Sequence, residues 1–251
     1  VRNPTYSGPP RAAEINVTEG TWLSIDVSPD GQTLIFDLLG DLYLLDIAGG
    51  AARSLTSGLA WDIQPRFSPD GKQVVFISDR SGGDTVWVMT LATGALKPIT
   101  KESFRLLNSP VWHPNGQFIA AKKHFTTSRS LGTGEIWLYD ATLPAPSDGV
   151  ELVARPNKNY QKELGEPAFS ADGETLFYTQ SATSGNTFIY HDDSHGGLFQ
   201  IKQLDLKTGE TDVVAGGYGG AVRPVPSPDG QHLAYVKRVR SESRLFVMDL
   251  D

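Results

Sequence analysis

The sequence contains no cysteine, which excludes disulfides, thiol catalysis and cysteine-ligated metal sites. No apolar run approaches the roughly 18 residues of a membrane-spanning helix, so membrane insertion is not expected. The 22 Lys and Arg residues are outnumbered by 29 Asp and Glu residues, for a net charge of −7, and no basic tract occurs. Nucleic acid is therefore not expected as a partner. No clear helical pattern is found in the chain.

What the sequence has instead is a repeated tight turn. Ser-Pro-Asp-Gly begins at residues 28, 68 and 227, and the related turns His-Pro-Asn-Gly and Ser-Ala-Asp-Gly begin at residues 113 and 170. Proline fixes φ for the turn, Asp or Asn bonds to its own backbone, and glycine takes the positive φ that follows. The starts lie 40, 45, 57 and 57 residues apart, which is a spacing typical of repeat architectures.

Short runs rich in β-branched and aromatic residues flank each turn. In the second unit they include QVVFIS (73–78), TVWVMTL (85–91) and the closing LKPIT (96–100). Four antiparallel strands at this repeat length are the signature of a β-propeller blade. We therefore predict a single all-β domain over residues 1–251, a β-propeller of four-stranded antiparallel blades. The blade units are expected at about 21–56, 61–100, 107–155, 165–215 and 220–251.

The two ends of the chain bear on how the ring closes. Residues 1–12 predict an extended leader, and residues 13–18 (AEINVT) predict a strand with the phase of a missing fourth strand, since the last unit ends after its third. The alternative is that AEINVT is a frayed arm. Five units are consistent with a ring of five or with part of a ring of six or seven. The chain begins at Val1 rather than Met, which predicts a removed leader or a fragment.

The repeat resembles that of TolB-type β-propellers over about residues 20–251. Leu55-Thr56 and Ile99-Thr100 match the closing pair of that repeat, and Trp112 matches its inner-strand aromatic residue. The stretch from Trp22 to Gly31 is most similar to the propeller region of secreted metal-dependent amidohydrolases. Prolyl-oligopeptidase and tricorn-like peptidases are further relatives by architecture. The resemblance implies a periplasmic or secreted protein.

Two functions follow from this resemblance. The first is a non-catalytic propeller portion of a larger secreted or periplasmic hydrolase, which steers substrate or scaffolds a catalytic domain in the same chain. The alternative is a self-contained periplasmic TolB-like module that binds a protein or peptide. The sequence shows no G-x-S-x-G, H-x-H or H-E-x-x-H motif, so no catalytic residue and no cofactor is predicted, and enzymatic activity is left undecided.

The candidate binding residues are those expected at the mouth of the central channel, where inner strands and connecting loops converge. They are Trp22, Asp26, Trp61, Asp62, Gln64, Asn108, Glu166 and Arg223. These residues form no single acidic or basic ring, which favours contact with a protein or peptide over a metal. The alternative is that the polar ones only cap inner strands and hold channel waters.

One histidine-rich loop is a weak metal candidate. It contains His191, Asp192, Asp193 and His195 within five residues. Two imidazoles and two carboxylates are suitable ligands for a divalent ion. Adjacent ligands on a flexible loop rarely reach the required geometry alone, so a solvated hairpin insertion is the preferred interpretation and no metal is predicted.

Overall fold

The computed structural model describes residues 16–127, 132–193 and 195–250, which form nineteen β-strands in five antiparallel sheets. No helix occurs in these ranges, so none there is long and apolar enough to cross a membrane. In every sheet the strands are neighbours in chain order. The predicted all-β propeller of antiparallel blades is thereby confirmed.

The strands alternate with short turns throughout. Sheet one comprises β1 (Ile25–Val27), β2 (Thr33–Leu38), β3 (Asp41–Asp46) and β4 (Arg53–Ser54). Sheet two comprises β5 (Asp62–Phe67), β6 (Gln73–Ser78), β7 (Thr85–Thr90) and β8 (Ala95–Pro98). Sheet three comprises β9 (Leu107–Trp112), β10 (Phe118–Thr126), β11 (Gly132–Asp140) and β12 (Val150–Val153). Sheet four comprises β13 (Leu164–Phe169), β14 (Thr175–Ser181), β15 (Phe199–Asp205) and β16 (Thr211–Ala215), and sheet five β17 (Val222–Pro226), β18 (His232–Val239) and β19 (Glu242–Asp249).

The hydrophobic core is divided among four interfaces between successive sheets. Ile35 of sheet one packs with Phe76 of sheet two, and Val75 of sheet two with Ile119 of sheet three. Two further clusters join sheets three and four and sheets four and five. The first strands of successive sheets also contact each other, so β1, β5, β9, β13 and β17 lie innermost, around the channel.

The ring is open between sheets five and one. No strand of sheet five packs against sheet one in the described part of the chain. The predicted leader, residues 1–12, and residues 13–15 of the predicted closing strand lie outside the described residues. Asn16, Val17 and Thr18 are exposed and form no strand. The ring-closing role of residues 13–18 therefore stays a prediction.

The repeated turns form one face of the propeller. In the second turn the Ser68 hydroxyl donates to Asp70 Oδ1 at 2.6 Å, and the same carboxylate oxygen accepts the backbone N–H of Lys72 at 3.0 Å. Neighbouring turns touch, as where His113 Nε2 donates to the carbonyl of Gly173 at 3.0 Å. We call this end the turn face. The opposite end, which we call the loop face, carries the connections between sheets and the hairpins between second and third strands.

Replacing Gly71 by alanine is expected to lower the free energy of unfolding by about 1 kcal/mol, because a side chain disfavours the left-handed backbone. Gly71 has a φ of +68°. Gly83→Ala is the matched control, since Gly83 has no left-handed φ and open space around it, and it is expected to be neutral or slightly stabilising. Urea unfolding of the two variants measures the difference, and equal losses would contradict the assignment.

Candidate binding site at the channel and loop face

The inner strands of sheets two to five share a bulge in which a residue other than glycine takes a left-handed backbone conformation. These residues are Gln64, Ser109, Glu166 and Arg223, with φ between 51° and 57°. The pairing register with the second strand shifts around each of them. Such a conformation costs about 1–3 kcal/mol per residue and persists only where the surroundings impose it. The repetition of the bulge in four blades shows that it is built into the fold.

Side chains of the preceding blade hold three of these bulges in place, those at Gln64, Ser109 and Arg223. The Gln64 N–H donates to Asp37 Oδ2 at 2.7 Å, and Gln64 Oε1 accepts the N–H of Ser109 at 2.6 Å. In the same way Glu166 Oε2 accepts the N–H of Arg223 at 2.9 Å. The polar side chains of the channel therefore link neighbouring blades, which is the capping role expected for some of them.

Asp37 belongs to this network although it was not among the predicted residues. It is 5% exposed and also accepts the N–H of Ser24 through Oδ1 at 2.9 Å. A carboxylate is kept inside a protein when hydrogen bonds to backbone donors compensate its lost hydration. The available signal was an aspartate inside the otherwise apolar run TLIFDLL, residues 33–39.

Asp62 lies inside the second blade rather than open to the channel. Its carboxylate is 1% exposed and accepts two hydrogen bonds from Arg80 Nη2, both at 2.6 Å. The Arg80 guanidinium lies over the rings of Phe76 and Trp87, 5.4 and 5.3 Å from their centroids. Asp62 is therefore used for an internal ion pair.

Asp62→Ala is expected to destabilise the fold by about 3 kcal/mol, because it leaves the charge of Arg80 largely buried without a partner. Glu174→Ala is the matched control. Glu174 pairs with Lys207 at 2.5 Å, but both side chains are more than half exposed, so its loss is expected to cost less than about 1 kcal/mol. Chemical denaturation at pH 7 compares the two, and a similar small loss in both would refute the role of Asp62.

Two other predicted residues, Asp26 and Asn108, are partly buried, and a third, Trp61, is 52% exposed. Asp26 lies between inner strands, where Oδ2 accepts the N–H of Phe67 at 2.8 Å, and burial raises the pKa of Asp26 above its usual value. Asn108 accepts the Ser109 hydroxyl at 3.4 Å. Trp61 covers Gly40 so closely that a Cβ on this glycine would lie 2.5 Å from the indole. These contacts fix the side chains and leave only part of each open to a partner.

Trp22 and Arg223 are the most accessible of the predicted residues. The Trp22 side chain is fully exposed, and its φ of 62° is again left-handed. Trp22 stands six residues before the turn of its own unit, whereas the four bulge residues of the other sheets stand four residues before theirs. The Arg223 side chain is 75% exposed, and its Nε lies 3.3 Å from Glu166 Oε1. Glu166 thus holds both the backbone and the side chain of Arg223.

The loop face also exposes large apolar side chains that were not predicted as binding residues. They include Leu39, Leu59, Phe104, Phe188, Ile189, Tyr190 and Tyr218. All lie in connections between sheets or in hairpins between second and third strands. On the turn face the loops expose Ile47 and Leu143. An aromatic residue in a polar connection was the signal available in the sequence.

The histidine-rich loop is engaged with its surroundings. His195 Nδ1 lies 2.9 Å from Asp193 Oδ1, and Nε2 lies 2.8 Å from the carbonyl of Arg240 in sheet five. His191 and Asp192 do not join them: within residues 16–127, 132–193 and 195–250, no three His, Asp or Glu side chains are grouped so that they could hold a metal ion. The loop therefore docks blade four onto blade five.

A charged cluster fixes the loop between sheets two and three. Glu102 Oε1 accepts the N–H groups of Ser103, Phe104 and Arg105 at 3.1–3.2 Å, and its Oε2 lies 3.0 Å from Lys123 Nζ. Burial alone raises the pKa of Glu102, but these hydrogen bonds outweigh burial and lower it to about 2. The ionised carboxylate is therefore favoured in the folded state.

Glu102→Gln is expected to reduce the loss in free energy of unfolding that the wild type shows as the pH is lowered. Because the pKa of Glu102 is depressed, its ionised carboxylate adds to the free energy of unfolding. This contribution is complete above pH 4.5 and is lost as the pH falls toward 2. Urea unfolding between pH 7 and pH 2 measures this, with Glu242→Gln as control. Glu242 pairs with Arg244 at 2.7 Å on the exposed surface and should change stability at pH 7 by less than about 1 kcal/mol. Parallel curves for wild type and Glu102→Gln would exclude the role.

Radial antiparallel sheets around a channel, repeated turns on one face and bulged inner strands define a β-propeller protein. Residues 11–138, half of the chain, match the family of TolB beta propeller domains. The chain therefore belongs to this family. The predicted resemblance to TolB-type propellers is confirmed, whereas the predicted link to amidohydrolases has no support in this match.

Curated relatives carry the name Tol-Pal system protein TolB. The protein of Francisella tularensis subsp. holarctica (strain OSU18) is 26% identical over 254 residues, covering 98% of this chain and 52% of the relative. That of Helicobacter hepaticus is 28% identical over 165 residues, covering 64% of this chain and 37% of the relative. The chain thus spans about half or less of the length of these relatives.

Solved structures share the fold at lower identity. A putative TolB from Agrobacterium tumefaciens has a TM-score of 0.69 and 19% identity, over 90% of this chain and 76% of that one. A puromycin hydrolase has a TM-score of 0.52 and 17% identity, over 86% of this chain and 33% of the hydrolase chain. At such identities these likenesses show the propeller fold alone.

Proposed function

We propose that this propeller is a self-contained periplasmic module that binds a protein or peptide through its loop face. Membership of the TolB family and the names of its curated relatives support this function over a hydrolase-associated propeller. The likeness to a puromycin hydrolase extends to the fold only and supports no catalytic-domain partner. The periplasmic location is proposed on the same relatives.

The observation that carries the proposal is the uneven distribution of exposed apolar side chains. Trp22, Leu59, Phe104 and Tyr190 are each at least 79% exposed, and all four lie on the loop face. Large apolar side chains exposed on one face of a protein are a common mark of a recognition surface. Aromatic side chains are enriched in protein interfaces and often dominate their binding energy. The opposite face presents the polar repeated turns, and the apolar loop residues there, Ile47 and Leu143, are only 49% and 42% exposed.

The channel supplies polar contacts beside these anchors. Arg223 offers an exposed guanidinium at the mouth, and Glu166 fixes its position. A side chain whose backbone is already held loses less freedom on binding, which favours affinity. Arginine donates to carboxylates and backbone carbonyls, so a peptide chain suits this position. The proposed site therefore combines aromatic anchors on the rim with hydrogen-bond donors at the channel.

Trp22→Ala and Tyr190→Ala are expected to weaken partner binding about tenfold or more, since truncating an aromatic hot spot commonly costs about 2 kcal/mol. Both side chains are exposed, so the fold should be unaffected. Ile47→Ala on the turn face is the control and should bind as the wild type does. The partners to titrate by calorimetry are the other Tol-Pal system proteins of the same organism.

Two results would count against the proposal. If none of these proteins binds the wild type, the proposal that this module binds a Tol-Pal system protein is refuted. If one binds and Ile47→Ala weakens it as much as the loop-face variants do, the loop face is not the interface. Circular dichroism of each variant excludes unfolding as the cause.

A further inference from the structure

The loop face is divided by the sign of its charges. On sheets one and two, the loop-face segments 37–41, 57–62 and 78–85 carry the carboxylates of Asp37, Asp41, Asp62, Asp79 and Asp84. Arg80 is the only basic residue in these segments, and the buried Asp62 already pairs with it. Burial raises the pKa of Asp41 and that of Asp84, and the neighbouring carboxylates of Asp62 and Asp79 add to this rise. The loop face is therefore negative over sheets one and two.

Over sheets three to five, most loop-face carboxylates already have a cation beside them. The pairs are Glu102 with Lys123, Glu163 with Lys122, Glu166 with Arg223, Asp193 with His195 and Glu242 with Arg244. Asp192 is the exception. Three cations of the same region, Arg105, Lys158 and Arg240, form no ion pair within the described part of the chain. The loop face over sheets three to five therefore has an excess of available positive charge.

Arg105 is held in place although it has no carboxylate partner. Its Cζ lies 4.0 Å from the centroid of the Phe125 ring, which is a cation–π contact. Arg155 lies over the same ring at 4.6 Å, but its Nε is also 3.1 Å from Glu135 Oε1. Glu102 fixes the backbone of Arg105 by accepting its N–H at 3.1 Å. Stacking uses the flat face of a guanidinium and leaves the N–H groups at its edge for an acceptor.

Exposed apolar side chains stand next to the two arginines of this region. Phe104 precedes Arg105 in the chain and is 79% exposed, and Leu106 follows it and is 50% exposed. Tyr218, which is 70% exposed, lies in the connection that leads to Arg223. A partner segment that matches this arrangement carries carboxylates beside apolar side chains.

We propose that the loop face binds an acidic segment of a protein partner, which lies over sheets three to five with carboxylates at Arg105 and Arg223. This inference rests on the proposed function, since it names the chemistry of the partner at that same face. The negative loops of sheets one and two repel such a segment. Because like charges brought together are unfavourable and opposite charges attract, the division of charge also sets the orientation of the bound partner.

Two observations favour a protein segment over a nucleic acid as the source of the negative groups. The chain has a net charge of −7, and its loop face is negative over two of the five sheets. A nucleic acid is charged along its whole length and is bound by a continuous basic surface. The unpaired cations here are single side chains set on separate connections and hairpins. A protein segment can place a few carboxylates at such points and apolar side chains between them.

Fluorescence anisotropy with two labelled peptides tests the inference. In the first peptide, Glu and Asp residues flank a central Trp, and in the second, Gln and Asn replace the acidic residues. The acidic peptide is expected to bind the wild type about tenfold more tightly, since hydrogen bonds between ionised groups are the stronger ones. It should lose most of this advantage when NaCl is raised from about 50 mM to about 500 mM, because salt screens exposed charges.

Arg105→Gln and Arg223→Gln are each expected to weaken binding of the acidic peptide about fivefold and to leave the amide peptide unaffected. Arg53→Gln is the matched control, since Arg53 is exposed on β4, the outer strand of sheet one, and it should bind as the wild type does. Arg105→Lys keeps the charge and should recover part of the affinity. Urea unfolding of each variant shows whether a loss of binding comes from a loss of folding.

Three results overturn the inference. The first is equal affinity of the wild type for the two peptides. The second is a loss in Arg53→Gln as large as in the two loop-face variants. The third is tighter binding of a single-stranded DNA of the same net charge than of the acidic peptide, which would make a nucleic acid the better occupant.

The same variants separate this inference from the proposed function when Tol-Pal system proteins are titrated. If such a protein binds and Trp22→Ala weakens it but Arg105→Gln and Arg223→Gln do not, the loop face is the interface and the acidic segment is refuted. If the acidic peptide binds as expected and no Tol-Pal system protein does, the acidic segment is supported and the Tol-Pal partner is refuted.

Discussion

Face-to-face burial of apolar rows between successive sheets is the interaction on which this structure depends. A single antiparallel sheet buries neither of its faces, and here each of sheets two, three and four is covered on both. Phe76 and Val75 are neighbours in one strand, point to opposite interfaces and are both fully buried. This double burial explains why VVFI (74–77) is continuously apolar instead of alternating. The outer strands contribute little to it and are correspondingly exposed.

The strained bulges of the channel are a consequence of that packing. Once neighbouring sheets are locked together, an acceptor on one blade lies at a fixed distance from the bulge of the next, as Gln64 does from the N–H of Ser109. The hydrogen bond offsets the cost of the left-handed backbone, and rigid packing prevents the strand from relaxing. The channel is thereby lined by polar side chains whose backbone is already fixed.

The fold was predictable from the sequence because its signals are local. A turn such as Ser68 to Gly71 determines its own hydrogen bonds, and apolar runs beside it determine the strands. The site was less predictable because burial depends on residues distant in the chain. Asp62 begins an inner strand, as a channel residue would, but only Arg80, eighteen residues later, makes it an internal group. The role of Asp37 likewise depends on Gln64 in the next blade.

The two exposed apolar surfaces differ in chemistry, in a way that distinguishes core-like surfaces from recognition surfaces. Along the open flank between sheets five and one the exposed residues are aliphatic and stand on strands, as Val27 and Val247 do, like the residues of the buried interfaces. Obligate interfaces resemble a domain core in this way. On the loop face the exposed residues are mostly aromatic, stand on separate loops and have polar neighbours such as Arg223 and Glu166. Such a mixed surface is typical of contact with a partner that binds and leaves.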